Sequence, residues 1–229
     1  MVADARLGHQ KTPQNPLLVD LVACLGQSRA MEQVSFVHMA DGTKEEYEFL
    51  GPIFEEHSQA EIVDNLISML QIMRGPKLGY QIDRYQHSLQ SGTRALRNEE
   101  PIDMVVGALL HDVADSFAPA NHSAAAASVM KPYVDEETHW VIQHHGLFQG
   151  HYYYHHLGGD RNARDIFGDH EHYEACVRFC EQYDQNCFDP DYPTLPIEDF
   201  RPMLDEVFSR ESQVPGIPIA TPDGSVAFN

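Results

Sequence analysis

Leu109-Leu110-His111-Asp112-Val113-Ala114-Asp115 sets a histidine and a carboxylate side by side at the end of an apolar run. Adjacent positions of a helix point about 100° apart, so His111 and Asp112 cannot both enter a core from one helical face. They share a site only where a helix ends and the site needs both. A pair of metal ions is the usual reason: one residue holds one ion while its neighbour bridges to the second.

The sequence around this stretch reads as helix in both directions. Upstream, Pro101 is placed near a helix start, and Ile102, Val105, Val106, Leu109 and Leu110 carry the chain toward His111. A helix over about 83–97 precedes it. From Ser58, with Glu61 three residues later as in a capping box, a further helix carries Ile62, Leu66, Leu70 and Met73 and stops at Gly75-Pro76. Asp41-Gly42 is a turn signal, so 31–57 reads as a β-hairpin or as a lead into a helix. Asn15–Gln27 suits a short helix.

Downstream, an alanine-rich helix over about 122–131 is closed by Pro132. Another starts near Asp135 and carries Trp140, Val141 and His145, its acidic start Asp135-Glu136-Glu137 complementing the helix dipole. Residues 146–168, rich in Gly, Tyr and His, read as a long loop or broken helix. A helix over about 170–184, a proline-punctuated extended segment and a helix over about 197–209 follow. The sum is an all-α fold: an N-terminal extension over 1–57, a helical bundle over 58–210 and a short irregular tail over 211–229.

Composition narrows the function. The 229 residues suffice for one sizeable core. A formal charge of -20 is opposite to what phosphate-backbone or anionic-membrane binding needs, so neither nucleic acid nor membrane is an expected partner. Four cysteines are too few for a disulfide framework, and Met1–Gln10 lacks the apolar stretch of a signal peptide, so a reduced, cytoplasmic protein is expected. The 14 histidines are the compositional excess, and most fall between His87 and His172.

His87, His111-Asp112, His122, His145 and Asp184 each lie on, or at an end of, a predicted helix. Imidazole and carboxylate together suit iron, zinc or manganese. Four histidines and two aspartates exceed what one open catalytic ion needs, and suit two. Asp112 is the natural bridge, because a carboxylate has two oxygens and an imidazole one free nitrogen. His144 competes with His145, and Asp189 with Asp184, although Asp189 before Pro190 suits a turn. His122 also suits a helix-cap neighbour. His151, His155 and His156 with Tyr152–Tyr154 read as a lid or as a surface loop. Asp160-Arg161 and Arg164 contact substrate or form ion pairs that fix that loop. His172, Cys176 and Cys180 share a helical face, as a packed stripe does.

The order His87, His111-Asp112, Asp184 resembles the H…HD…D signature of the HD-domain superfamily over about residues 80–205, slightly more than half the chain. His122 and His145 resemble the added ligands of its dinuclear branch, shared by myo-inositol oxygenase, the HD-type phosphonate oxygenases and some phosphodiesterases. Tyr85–Gln90 is similar to the ligand helix of the phosphonate enzymes, and Gln143–Phe148 to a stretch of the inositol enzyme. Tyr183-Asp184 with Phe188-Asp189-Pro190 and Leu195-Pro196 is similar to the ending of both.

The resemblance implies an HD helical bundle with two iron ions (Fe2+/Fe3+), other divalent metals being compatible. His87, His111, Asp112 and Asp184 would hold one ion, and Asp112, His122 and His145 the other. It also implies a small-molecule substrate and O2 as partners. The pattern departs where substrate is gripped. Asp115 stands where those oxygenases carry His or Lys. Gln149 and Glu181 stand near positions that are basic in the phosphonate enzymes, and Tyr80 stands where those enzymes place a Glu. Asp112, Asp115 and Tyr80 are the candidate catalytic residues, and a neutral polyol or an amine suits Asp115 better than a phosphonate. The alternative is a metal-dependent phosphohydrolase acting on a nucleotide or small phosphate ester, with two ions activating water.

Overall fold

The computed structural model describes residues 31–214, 218–220 and 226–228. The expected helix at Asn15–Gln27 lies outside them. The chain divides into two compact units, the first ending at Phe54 and the second starting at Glu55.

In the first unit, a short 3-10 turn (Met39–Asp41) leads into a helix, so of the two readings of 31–57 the helical lead-in is the one found. That helix, α1 (Lys44–Ile72), starts well before Ser58. Its start is the pair Thr43 and Glu46. The Glu46 amide donates to Thr43 Oγ1 at 3.3 Å, and the Thr43 amide donates to Glu46 Oε2 at 2.9 Å. This reciprocal box satisfies donors that a helix start leaves open. Amides of Thr43 and Ser35 hold the Glu46 carboxyl down to a pKa of about 2. Ser58 and Glu61 have the same spacing but lie inside the helix, where the backbone donors are already used.

The second unit is built from six further helices among the described residues: α2 (Arg84–Arg97), α3 (Ile102–Leu110), α4 (His122–Met130), α5 (Glu136–Tyr153), α6 (Tyr173–Phe179) and α7 (Ile197–Phe208). A three-residue antiparallel ribbon, β1 (Pro218–Ala220) with β2 (Val226–Phe228), is the only strand pairing described; the fold is all-α. Asp83 caps α2, accepting from the Gln86 amide at 2.8 Å, and Asp135 caps α5, accepting from the Thr138 amide at 2.7 Å. Both satisfy open amides at the positive end of a helix.

α3 is buried from Asp103 through Leu110, so it is the central helix. Its neighbours approach closely because glycines face them. A Cβ on Gly92 of α2 would lie 2.9 Å from Phe200 of α7 and 3.2 Å from Cβ of Leu109. One on Gly107 would lie 2.8 Å from Thr138 of α5. The core continues through Leu66 and Leu70 of α1, Met130 of α4, Phe148 of α5, Phe179 of α6 and Leu204 of α7.

α5 and α6 pack as a ladder. Cys176 Sγ donates to the Val141 carbonyl at 3.6 Å and Cys180 Sγ to the His145 carbonyl at 3.4 Å, while His172 faces Glu137 at 3.5 Å. The His172, Cys176, Cys180 stripe is therefore packing. Beyond Phe179 the helix widens into a π turn (Cys180–Asp184), with the Gln185 amide donating to the Cys180 carbonyl at 3.0 Å. The segment after α5 is a broken helix, with 3-10 turns at Tyr154–Leu157 and Ala163–Phe167.

Candidate metal centre

α3 ends at Leu110, and the backbone tightens into turns in which the Val113 and Asp115 amides donate to the Leu110 and Asp112 carbonyls. That change of winding lets His111 and Asp112 face one centre despite being adjacent. His87 comes from the first turn of α2, His122 opens α4, His145 lies in α5, and Asp184 ends the π turn. A π turn adds one residue to the helical circuit and so re-aims the side chain that follows it.

All six residues converge. His87 and His111 present their Nε2 atoms to each other at 3.1 Å, and Asp184 Oδ1 lies 3.4 and 3.7 Å from them. Asp112 Oδ2 lies 3.6 Å from both. The other oxygen, Oδ1, lies 3.3 Å from His122 Nε2 and 3.5 Å from His145 Nε2. The two oxygens of Asp112 are thus divided between two pairs of imidazoles. The trios His87-His111-Asp184 and His111-Asp112-His145 are each close enough to hold an ion, and all five residues are buried.

The hydrogen bonding turns every ring the same way. Nδ1 donates to a backbone carbonyl in His87 (Cys187, 3.0 Å), His111 (Ala108, 2.8 Å), His145 (Ile142, 2.7 Å) and His122 (Pro119, 3.3 Å). A carbonyl only accepts, so the proton sits on Nδ1 and each neutral ring aims the lone pair of Nε2 inward. This is how metal-binding histidines are commonly oriented.

Four observations fit an ion pair. Facing Nε2 lone pairs at 3.1 Å repel unless a proton or cation lies between them. His145 Nε2 and Asp184 Oδ2 are buried without a hydrogen-bond partner among the described residues, and such groups are costly when left unpaired. Two donors on one ion at ordinary bond lengths are about 3.0–3.4 Å apart, near the separations found. The donor set itself, imidazole plus carboxylate, suits a divalent transition metal.

Without metal the same geometry holds protons. Burial opposes charging of His87, but Asp184 and Asp112 outweigh it and raise its pKa; Asp112 and Asp184 do the same for His111. Burial would raise Asp112 and Asp184, but the surrounding imidazoles pull both well below the usual carboxylate range.

The remaining predicted residues stand around this centre. Asp115 accepts from Arg84 Nη2 at 2.5 Å and lies 3.7 Å from His122 Nδ1. Tyr80 is outside the cluster and half exposed. It follows a loop with positive φ at Gly75, Leu78 and Gly79, and stacks on Phe188 (4.7 Å between ring centroids), which stacks on His87 (4.4 Å). His144 points away, its ring 4.2 Å from Trp140, so of the two adjacent histidines His145 is the one at the cluster. Asp189 caps a turn, accepting from the Asp191 amide at 2.9 Å, while its backbone is held from both sides by Gln90. His151 binds Arg161 through both ring nitrogens and ties the loop after α5. No ion pair among the described residues includes Arg161 or Arg164, contrary to the ion-pair reading of that loop.

Two contributors were not identified as such from sequence. Gln149 donates to Asp184 Oδ1 at 2.6 Å. Its spacing of four from His145 puts both on one face of α5, which was the available signal. Arg84, three residues before His87, reaches Asp115 and also stands 3.7 Å from Asp112 Oδ2.

No family model and no curated protein matches the chain.

Proposed function

We propose that this chain is a dinuclear metal enzyme of the HD type, an oxygenase that uses O2 to oxidise a small hydroxyl- or amine-bearing molecule, with iron as the metal. The observation that carries this reading is the division of Asp112: Oδ2 faces His87 and His111, and Oδ1 faces His122 and His145. A carboxylate so placed would bridge two ions. His87, His111 and Asp184 would complete one position, and His122 and His145 the other.

When bound, a mixed-valent iron pair would supply redox chemistry for O2 and Lewis acidity for the substrate heteroatom. The protein's part is orientation. Backbone carbonyls hold each imidazole with Nε2 inward, and Gln149 fixes the Asp184 carboxylate. Phe188 covers His87, and Tyr80 forms the outer wall above it.

Cation supply favours oxidation over phosphoryl hydrolysis, whose charged transition state needs guanidinium or ammonium groups. Arg84 is engaged by Asp115, Arg94 lies 4.0 Å over the Tyr192 ring and Arg161 is bound to His151, which leaves Arg164, with Nε and Nη1 buried and without a hydrogen-bond partner among the described residues, as the one guanidinium of the four not taken up. The direct test is anaerobic loading with ferrous iron followed by brief exposure to oxygen. A coupled half-integer-spin signal and oxygen uptake with a polyol or amino-alcohol panel are expected. Phosphate release from an ester panel without oxygen uptake would replace this reading with the hydrolase.

A further inference from the structure

The cluster is open on one side, and a chain of three residues, Arg84, Asp115 and His122, occupies that side. His87, His111 and His145 retain at most 1% of their surface, whereas the His122 side chain keeps 23%. His122 is also the ring with the longest Nδ1 contact to a carbonyl, 3.3 Å against 2.7–3.0 Å for the other three. It is the first residue of α4, after an Asn121 whose side chain makes no cap. Neither burial nor that one contact holds its ring as the others are held.

A second partner stands on the same edge of the ring. Asp115 Oδ1 lies 3.7 Å from His122 Nδ1, and Asp115 Oδ2 accepts from Arg84 Nη2 at 2.5 Å. Arg84 Nε stands 3.7 Å from Asp112 Oδ2. One guanidinium therefore faces both carboxylates, and it keeps two like charges in register at the rim of the site. Its planar fork can hold two directions at once, which an ammonium cannot.

We propose that Asp115 is a positioning residue for His122, that Arg84 holds Asp115 in place, and that this chain sets how tightly the open metal position binds its ion. The proposal rests on the dinuclear reading above. A carboxylate beside Nδ1–H stabilises the tautomer that leaves Nε2 free and makes Nε2 a better donor; loss of such a partner typically weakens metal binding by about 10–100-fold. The buried position draws its orientation from backbone carbonyls and Gln149; the Asp115 carboxylate pairs with none of its ligands, and Arg84 reaches it only through the 3.7 Å approach to Asp112 Oδ2. The two ions then bind unequally, and the open position empties first. With its charge shared between Arg84 and His122, Asp115 acts through a ligand and is not an anchor for a substrate ammonium.

The test is an anaerobic titration of chelator-stripped protein with Co2+, whose visible absorption reports each site, checked by ferrous iron stoichiometry. Wild type is expected to bind two ions in two steps. Asp115→Asn is expected to keep the first step and its spectrum, which also shows that it folds, and to weaken the second about 10–100-fold. Arg84→Gln, which also removes the guanidinium beside Asp112 Oδ2, is expected to weaken the second step as much and to shift the first only slightly. Arg84→Lys is expected to recover part of the loss. Two ions in wild type with unchanged second steps in both variants would overturn this proposal alone, and lost turnover with intact metal binding would make Asp115 a catalytic acid–base instead. Fewer than two ions in wild type would overturn the dinuclear reading and this one together.

Discussion

The two ends of the cluster use the same side chains in different surroundings. On the His87, His111 and Asp184 end, helices α2, α3 and α6 with its π turn enclose every ligand, each imidazole Nδ1 is held by a backbone carbonyl, and Gln149 reaches Asp184 Oδ1. On the His122 end, the ligand begins a helix, is partly exposed and is steadied by charged residues. Burial supplies rigidity and excludes water, whereas ion pairs at a rim are weaker and give way to solvent. One carboxylate, Asp112, belongs to both ends, which makes the difference between them measurable.

The largest effect is expected where the ends are joined. Asp112→Ala removes a donor from both positions and should abolish metal binding beyond trace levels together with any turnover, read by elemental analysis. Retention of both ions would break the comparison at its centre. His122→Ala should cost one ion of two and leave the other, and loss of both would mean that the ends are not separable.

Gln149→Leu sharpens the buried side. Removing the amide frees Asp184 to rotate and leaves a buried carboxylate short of a donor. Binding at that position should weaken by about tenfold, the low end for loss of an outer-shell partner, measured in the same titration.

The smallest effect concerns the protein stripped of metal. His87 and His111 have raised pKa values, so their contribution to stability is full below about pH 6.5 and fades as pH rises through the folded values. Asp112 and Asp184 have depressed values, so theirs is full above about pH 4 and fades as pH falls through the folded values. Thermal unfolding of stripped protein should show its highest Tm between those limits. Metal displaces these protons, so loaded protein should keep its Tm at higher pH. A flat profile for stripped protein from pH 5 to 8 would count against proton sharing in the cluster.

The amino-acid pattern alone carried the helices with strong punctuation. Pro101 and Asp135 mark starts whose chemistry is local, and α3 and α5 begin at those signals. It also carried the candidate ligands, because adjacent His111 and Asp112 have no ordinary packing use. It misplaced the start of α1, since Thr43-x-x-Glu46 and Ser58-x-x-Glu61 have equal spacing and only one lies where amides are free.

What only the tertiary structure decided comes from contacts across long separations. The Cys187 carbonyl turns His87 from a hundred residues away, and Gln149 meets Asp184 across 35. Arg84 meets Asp115 only because the turns after α3 bring that carboxylate back toward α2. Residue type determined which atoms can bind a metal. Which oxygen faces which ring depends on packed helices, because orientation is fixed by neighbours that no local pattern encodes.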